Sequence, residues 1–117
     1  VIGYLRAVNA HDAAGARALL AAEYQRELAG EIPHFEAWVA NIVSVRLRIL
    51  KPPGDAGTGL EGKYPLYRDI VEFGTTYDIV LHTQSALETA GSQTRFFVVG
   101  RSRTQGTWLI LGIGTGP

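Results

Sequence analysis

Residues 67–85 read YRDIVEFGTTYDIVLHTQS. Val71, Phe73, Thr75, Tyr77, Ile79 and Leu81 fall on one side of a two-residue period, and Glu72, Gly74, Thr76, Asp78 and His82 on the other. Successive side chains of an extended chain point to opposite faces, so this alternation predicts a long strand over 66–83 with one buried face. Gly74 interrupts it. A glycine inside a strand marks a bulge, which would bend the strand and flip the parity on one side.

The same period continues on both sides of this run. NIVSVRLRIL (41–50) predicts a strand over 42–51, with Val43, Val45, Leu47 and Ile49 inward and Ser44, Arg46 and Arg48 outward. The stretch 51–63, KPPGDAGTGLEGK, is rich in proline and glycine and reads as a loop. ALETAGS (86–92) is a turn, QTRFFVVGRS a strand over 93–103, RTQG a hairpin connection, and TWLILGIG a strand over 107–114. Gly114-Thr115-Gly116-Pro117 resembles a phosphate-binding loop only superficially. Such a loop needs a following helix whose free N–H groups hold the anion, so the tail reads as a strand exit.

Before the strands the period changes. Ile2, Leu5 and Val8 form one stripe with Tyr4 beside it, predicting a helix over 2–10. Asp12 reads as the N-cap of a second helix over 12–23, with Leu19 and Leu20 as its buried face. Pro33 suits the first turn of a third helix over 34–40 carrying Phe35, Trp38 and Val39. Helices followed by an antiparallel meander define an α+β class, and no repeat or second domain boundary interrupts residues 1–117.

Composition narrows the function classes. Hydrophobic residues at 46% and charged ones at 19% describe a chain able to bury a core. Eleven basic and eleven acidic residues cancel, which leaves no global field to draw nucleic acid or anionic lipid. No apolar run approaches the ~18–20 residues of a membrane helix. There is no cysteine, hence no disulfide and no thiolate site. A start at Val1 in helical period, in a chain without Met, predicts that the natural protein extends further at its N-terminus.

The element order, opened by YLRAVNAHDAAGARALL (4–20) with its polar break from Asn9 to Asp12, resembles the nuclear transport factor 2-like (cystatin-like) superfamily. That resemblance implies N-terminal helices packed on a strongly curved antiparallel sheet, a cone or half-barrel. The last strand, through Trp108, Ile110, Ile113 and Gly114 to Pro117, looks like the end of a family of uncharacterised bacterial domains often found in lipoproteins, the DUF4829 type. An extracytoplasmic or envelope location follows from this resemblance alone.

The resemblance also supplies a catalytic comparison. The ketosteroid isomerase-like branch uses a tyrosine on its first helix, here Tyr4, with a carboxylate base after the second helix and an acid on a later strand. Only Glu27 and Glu31 stand in the first of those regions, and RFFVVG contains no acid. No catalytic residue is assigned, and no cofactor. His11, His34 and His82 lack the spacing of a metal site, so no metal is assigned either.

Tyr4, Trp38, Phe73, Tyr77 and Trp108 are assigned as the lining of a pocket between helices and sheet, because core and apolar cavity draw on the same residue types. Phe96 belongs with them as a core aromatic. Arg46 and Arg48, with Glu72 and Asp78 on the neighbouring strand, predict cross-strand charge pairing. Arg95 and Arg101, on one face with Phe97 and Val99, read as an extension of that charged surface. The reading is a non-catalytic binding or interaction module. A small-molecule isomerase, dehydratase or cyclase is the alternative, told apart by a carboxylate such as Glu27, Glu31 or Asp78 reaching Tyr4, Tyr77 or His82 inside the cone. Expected partners are a small apolar ligand and a second copy docked through the sheet face, where Val80, Phe96 or Phe97 lie among charges.

Overall fold

The computed structural model describes residues 1–31, 35–52, 54–55, 63–83 and 90–114. Four short helices precede the sheet: α1 (Ile2–Asn9), α2 (Ala13–Ala18), α3 (Ala22–Glu31) and α4 (Phe35–Asn41). The strands are β1 (Ile42–Leu50), β2 (Gly54–Asp55), β3 (Tyr67–Leu81), β4 (Gly91–Ser102) and β5 (Trp108–Gly114). Neighbouring strands are antiparallel in the order β1-β3-β4-β5, and β2 joins the same edge of β3 as β1 does. The sheet is open rather than closed on itself. The proposed strand exit at 115–117, and His34, lie outside the described residues.

The α1–α2 break is polar because β1 needs it to be. β1 carries one extra residue between Ile42 and Ser44, a bulge that disrupts the ladder locally. Two side chains from the break meet the backbone there: the His11 ring donates from Nε2 to the Ile42 carbonyl at 2.7 Å, and Asn9 Oδ1 accepts from the Val45 amide at 3.0 Å. His11 itself turns the chain at φ 60°. Asp12 caps α2 as expected, its carboxylate accepting from the Gly15 amide at 2.9 Å.

The bulge corrects the inward assignment of Val43. Ile42 is fully buried in its place and Val43 is 40% exposed. Beyond the bulge the expected register holds, with Val45 buried and Arg46 exposed. A second extra residue in β1, between Leu47 and Ile49, leaves Ile49 exposed. Leu47, Phe73 and Leu81, expected to be largely buried, are only partly so, though all three pack against the main core. Gly74 is not a bulge. It pairs in register with Phe96, and a Cβ there would stand 3.3 Å from Lys51 Cδ and 3.4 Å from Phe96 Cε1. Phe96 therefore lies on the outer face and not in the core. The irregularity of β3 sits nearer its start, between Arg68 and Val71, where Asp69 adopts φ 54°.

The helix expected over 12–23 is two helices. Between them, the Ile110 amide donates to the Leu19 carbonyl, and the Ala21 amide donates to the Ile110 carbonyl, both at 2.8 Å. Leu20 thus forms a parallel bridge along the free edge of β5. An exposed edge offers unpaired backbone groups, and here a helix gives way to satisfy them.

β4 alternates without interruption, so Val99 and its neighbour Val98 face opposite ways. Val99 joins the main core with Tyr4, Val8, Val39, Ile42, Tyr77 and Phe97. Val98 packs on a second core of Ala21, Tyr64, Tyr67, Ile70 and Leu111 on the other face. Leu111 reaches it by alternation with the inward Ile110, and the residue that β5 gains between Ile110 and Gly112 returns Ile113 to the row of Phe97. Gly100 lies beneath this second core. A Cβ there would stand 3.0 Å from Leu111 Cδ1, 3.1 Å from Tyr67 Cβ and 3.2 Å from Ile70 Cγ1. Gly100→Ala is expected to lower unfolding stability by about 1–3 kcal/mol in urea denaturation, through overpacking.

Tyr67 gives a pH signature. Burial, then the charge of Glu23 and the hydrogen bond from the Tyr67 hydroxyl to Glu23 Oε1 at 3.3 Å, raise its pKa above the usual tyrosine value. The folded state keeps this proton more tightly than the unfolded chain does. Its stabilising contribution is complete below about pH 10 and is lost as pH rises through the folded-state pKa. Tyr67→Phe should flatten the alkaline decline in stability, measured by denaturation midpoints on both sides of pH 10.

Candidate ligand-binding site

A cavity of about 590 Å³ lies between the helix-side face of the sheet and the first turns of the chain. Val71 and Phe73 of β3, Val99 of β4, and Trp108, Leu109 and Ile110 of β5 supply the sheet side. Val1, Gly3 of α1 and Leu19 close over it. Two local features keep the space. The backbone bridge from Leu19 to β5 fixes the height of the cover. Gly3 contributes no side chain, and a Cβ there would already stand 3.5 Å from Leu19 Cδ1. Trp108, 43% exposed, forms part of the wall towards solvent. A volume of this size and an apolar lining are those of ordinary small-molecule sites.

Of the five residues assigned to a pocket, the structure brings Phe73 and Trp108 to this cavity. Tyr4 is buried in the main core with its ring edge-on to Phe97, centroids 6.0 Å apart. Tyr77 is buried in the same core. Trp38 stacks at a tilt on Phe35, 5.5 Å away. Sequence reasoning selected aromatics and missed Val1, Gly3, Leu19, Val71, Val99, Leu109 and Ile110. Only the alternation placing Val71 beside Phe73, and Val99 beside Phe97, pointed to any of these.

The candidate chemical groups lie elsewhere. Glu27 is exposed on α3. Asp78 is directly opposite Arg46 and accepts from Arg48 at 3.4 Å, a pair open to solvent and worth little. Nothing is described of the Glu31 side chain. His82 is exposed just beyond β3, where its backbone amide donates to the Asn41 carbonyl. His11 holds the β1 bulge. Among the described residues, no group of three or more His, Asp or Glu side chains could hold a metal. A smaller cleft of about 210 Å³ between α1 and β1 is lined by Ile2, Leu5, Arg6, Asn9, Val45 and Leu47.

Arg101 does not extend the charged outer surface. The strict alternation of β4 puts Gln93, Arg95, Phe97, Val99 and Arg101 on the helix-side face. The Arg101 guanidinium lies over the Trp108 ring, 4.9 Å from its centroid. Its Nε is buried and makes no hydrogen bond among the described residues.

No helix among the described residues is long and apolar enough to cross a membrane. Comparison with protein-family models, with curated proteins and with solved structures finds no match to the chain.

Proposed function

We propose that the chain is a non-catalytic binding module, a variation on the nuclear transport factor 2-like cone, that takes a small apolar molecule into the cavity beneath Leu19. The observation that carries this reading is the lining itself: all nine residues are apolar or glycine. Transfer of apolar surface out of water is the driving force such a site has to offer. The alternative, an isomerase-like enzyme, calls for a general base within reach of a bound substrate. Asp78 is engaged on the outer face and Glu27 is exposed, which favours binding over reaction. Placement outside the cytoplasm belongs to this proposal only through the family resemblance.

A neutral environment-sensitive dye such as N-phenylnaphthylamine should bind at one site per chain, with enhanced emission. Gly3→Leu places a side chain into the space while improving helix propensity, so the fold is kept and the cavity is filled. Dye affinity should fall at least about tenfold in that variant. Unchanged affinity in a folded Gly3→Leu protein would rule out this cavity as the site.

Association of two copies through the outer sheet face is a second part of the proposal. It is supported by Val80, 49% exposed, and by partly exposed Phe96, both on that face. Phe97 takes no part, being buried in the main core. Sedimentation should show a dimer at high protein concentration. Val80→Glu should return it to monomer, since a stable interface needs roughly 1,000 Å² without a buried unpaired charge.

A further inference from the structure

We infer that the molecule taken by the cavity carries an anionic head, a carboxylate on an apolar chain, and that Arg101 with Arg68 receives it. This rests on the reading of the cavity as an apolar binding site and names the class of ligand for it. Three observations converge on one end of the cavity.

The first is position. The helix-side face of the sheet is built in rows of cross-strand partners. Val71, Val99 and Ile110 form one row, and all three line the cavity. The next row towards the β4–β5 hairpin is Arg68, Arg101 and Trp108. Rows on one face stand two residues apart, about 6.5–7 Å along the strand, well within the reach of an arginine side chain. Trp108 belongs to both the cavity wall and the arginine row, so the two are contiguous.

The second is charge. Arg68 and Arg101 are directly opposite each other in the ladder. Like charges so placed repel, and a sheet ordinarily avoids the arrangement. Among the described residues the neutralising partner is Asp69 alone, 3.8 Å from Arg68 Nε and largely exposed. Arg101 makes no ion pair among the described residues.

The third is an unmet donor. Arg101 Nε is buried without a hydrogen bond among the described residues, and a buried donor left unmade is costly. Stacking on Trp108 orients the planar guanidinium, a group suited to a two-pronged contact with a carboxylate. An apolar chain lying along Val99, Ile110 and Trp108 would bring a terminal carboxylate to that group. The ligand's charge answers the repulsion, and its approach draws on an arginine whose hydrogen-bonding capacity is not used up.

The test displaces N-phenylnaphthylamine with decanoate and with decan-1-ol, which share a chain length and differ in head group. Decanoate is expected to compete at about tenfold lower concentration, the scale of a charge-assisted hydrogen bond. Raising salt should narrow the gap, because the mouth is exposed to ions. In Arg101→Gln the two competitors should become equal while dye affinity stays the same. Arg68→Gln should narrow the gap in the same sense, and it decides the question should Arg101→Gln not fold. Equal competition in the unmodified protein would overturn the anionic head and leave the apolar site standing. Equal weakening of acid, alcohol and dye in Arg101→Gln would overturn it too, by showing that Arg101 only supports the wall. Failure of the dye to bind at all would bring down the apolar reading and this inference together.

Discussion

Everything in this chain is organised by the ladder between β3 and β4. β3 spans fifteen residues and pairs β4 along nearly its whole length, while its other edge takes β1 and then β2. A strand hydrogen-bonded on both edges has no freedom of register. A one-residue slip would turn Thr75, Tyr77 and Ile79 from the core to the outside. The helices have only to cover the face that this pair presents.

The strands around the ladder fit by adding residues. β4 alternates without a break, whereas β1 carries two bulges, β5 one, and β3 one near its start. Each extra residue shifts which parity of the strand faces inward. Ile110 enters the main core while Leu111 enters the second one, although they are adjacent in sequence. The result is a sheet with apolar material on both faces at its β5 end, and bulges also add the local twist by which a sheet curves. The polar break Asn9–Asp12 belongs to the same accommodation, since two of its side chains hydrogen-bond the β1 backbone on either side of the first bulge.

The cavity follows from where the cover is anchored. α2 ends early so that Leu19–Ala21 can bond to Ile110, which holds the cover against the β5 edge. Val1, Gly3 and Leu19 close the cavity over Val71, Phe73 and Val99 and do not fill the space. The arginine row beyond it contrasts with the outer face. There Asp78 stands opposite Arg46 and pairs with Arg48 in solvent, so an acid lies among the arginines. Arg101 sits half-buried against an indole with its nearest cross-strand neighbour of the same sign.

The helix-then-strand order, the four main strands and the inward set Val45, Tyr77 and Ile79 were legible in the sequence, because a period of two or of 3.6 depends on neighbours within the same segment. Asp12 was legible for the same reason, since a cap bonds within its own turn. The bulges were not. An extra residue is defined only against a partner strand, and nothing local to Val43 says that Ile42 will take its place. The break at Leu19–Ala21 was equally hidden: its two leucines suit a helix, and an unpaired edge ninety residues away turned them out of one. The aromatics were identified as apolar, but which of them meet a core and which meet a void depends on what stands opposite. Tyr4 met Phe97, whereas Phe73 and Trp108 met a helix turn that carries a glycine. The face of Arg101 was readable from its alternation with Phe97 and Val99. That this face ends in two facing arginines beside a cavity emerged only when β3 set Arg68 across from Arg101 and β5 set Trp108 beneath it.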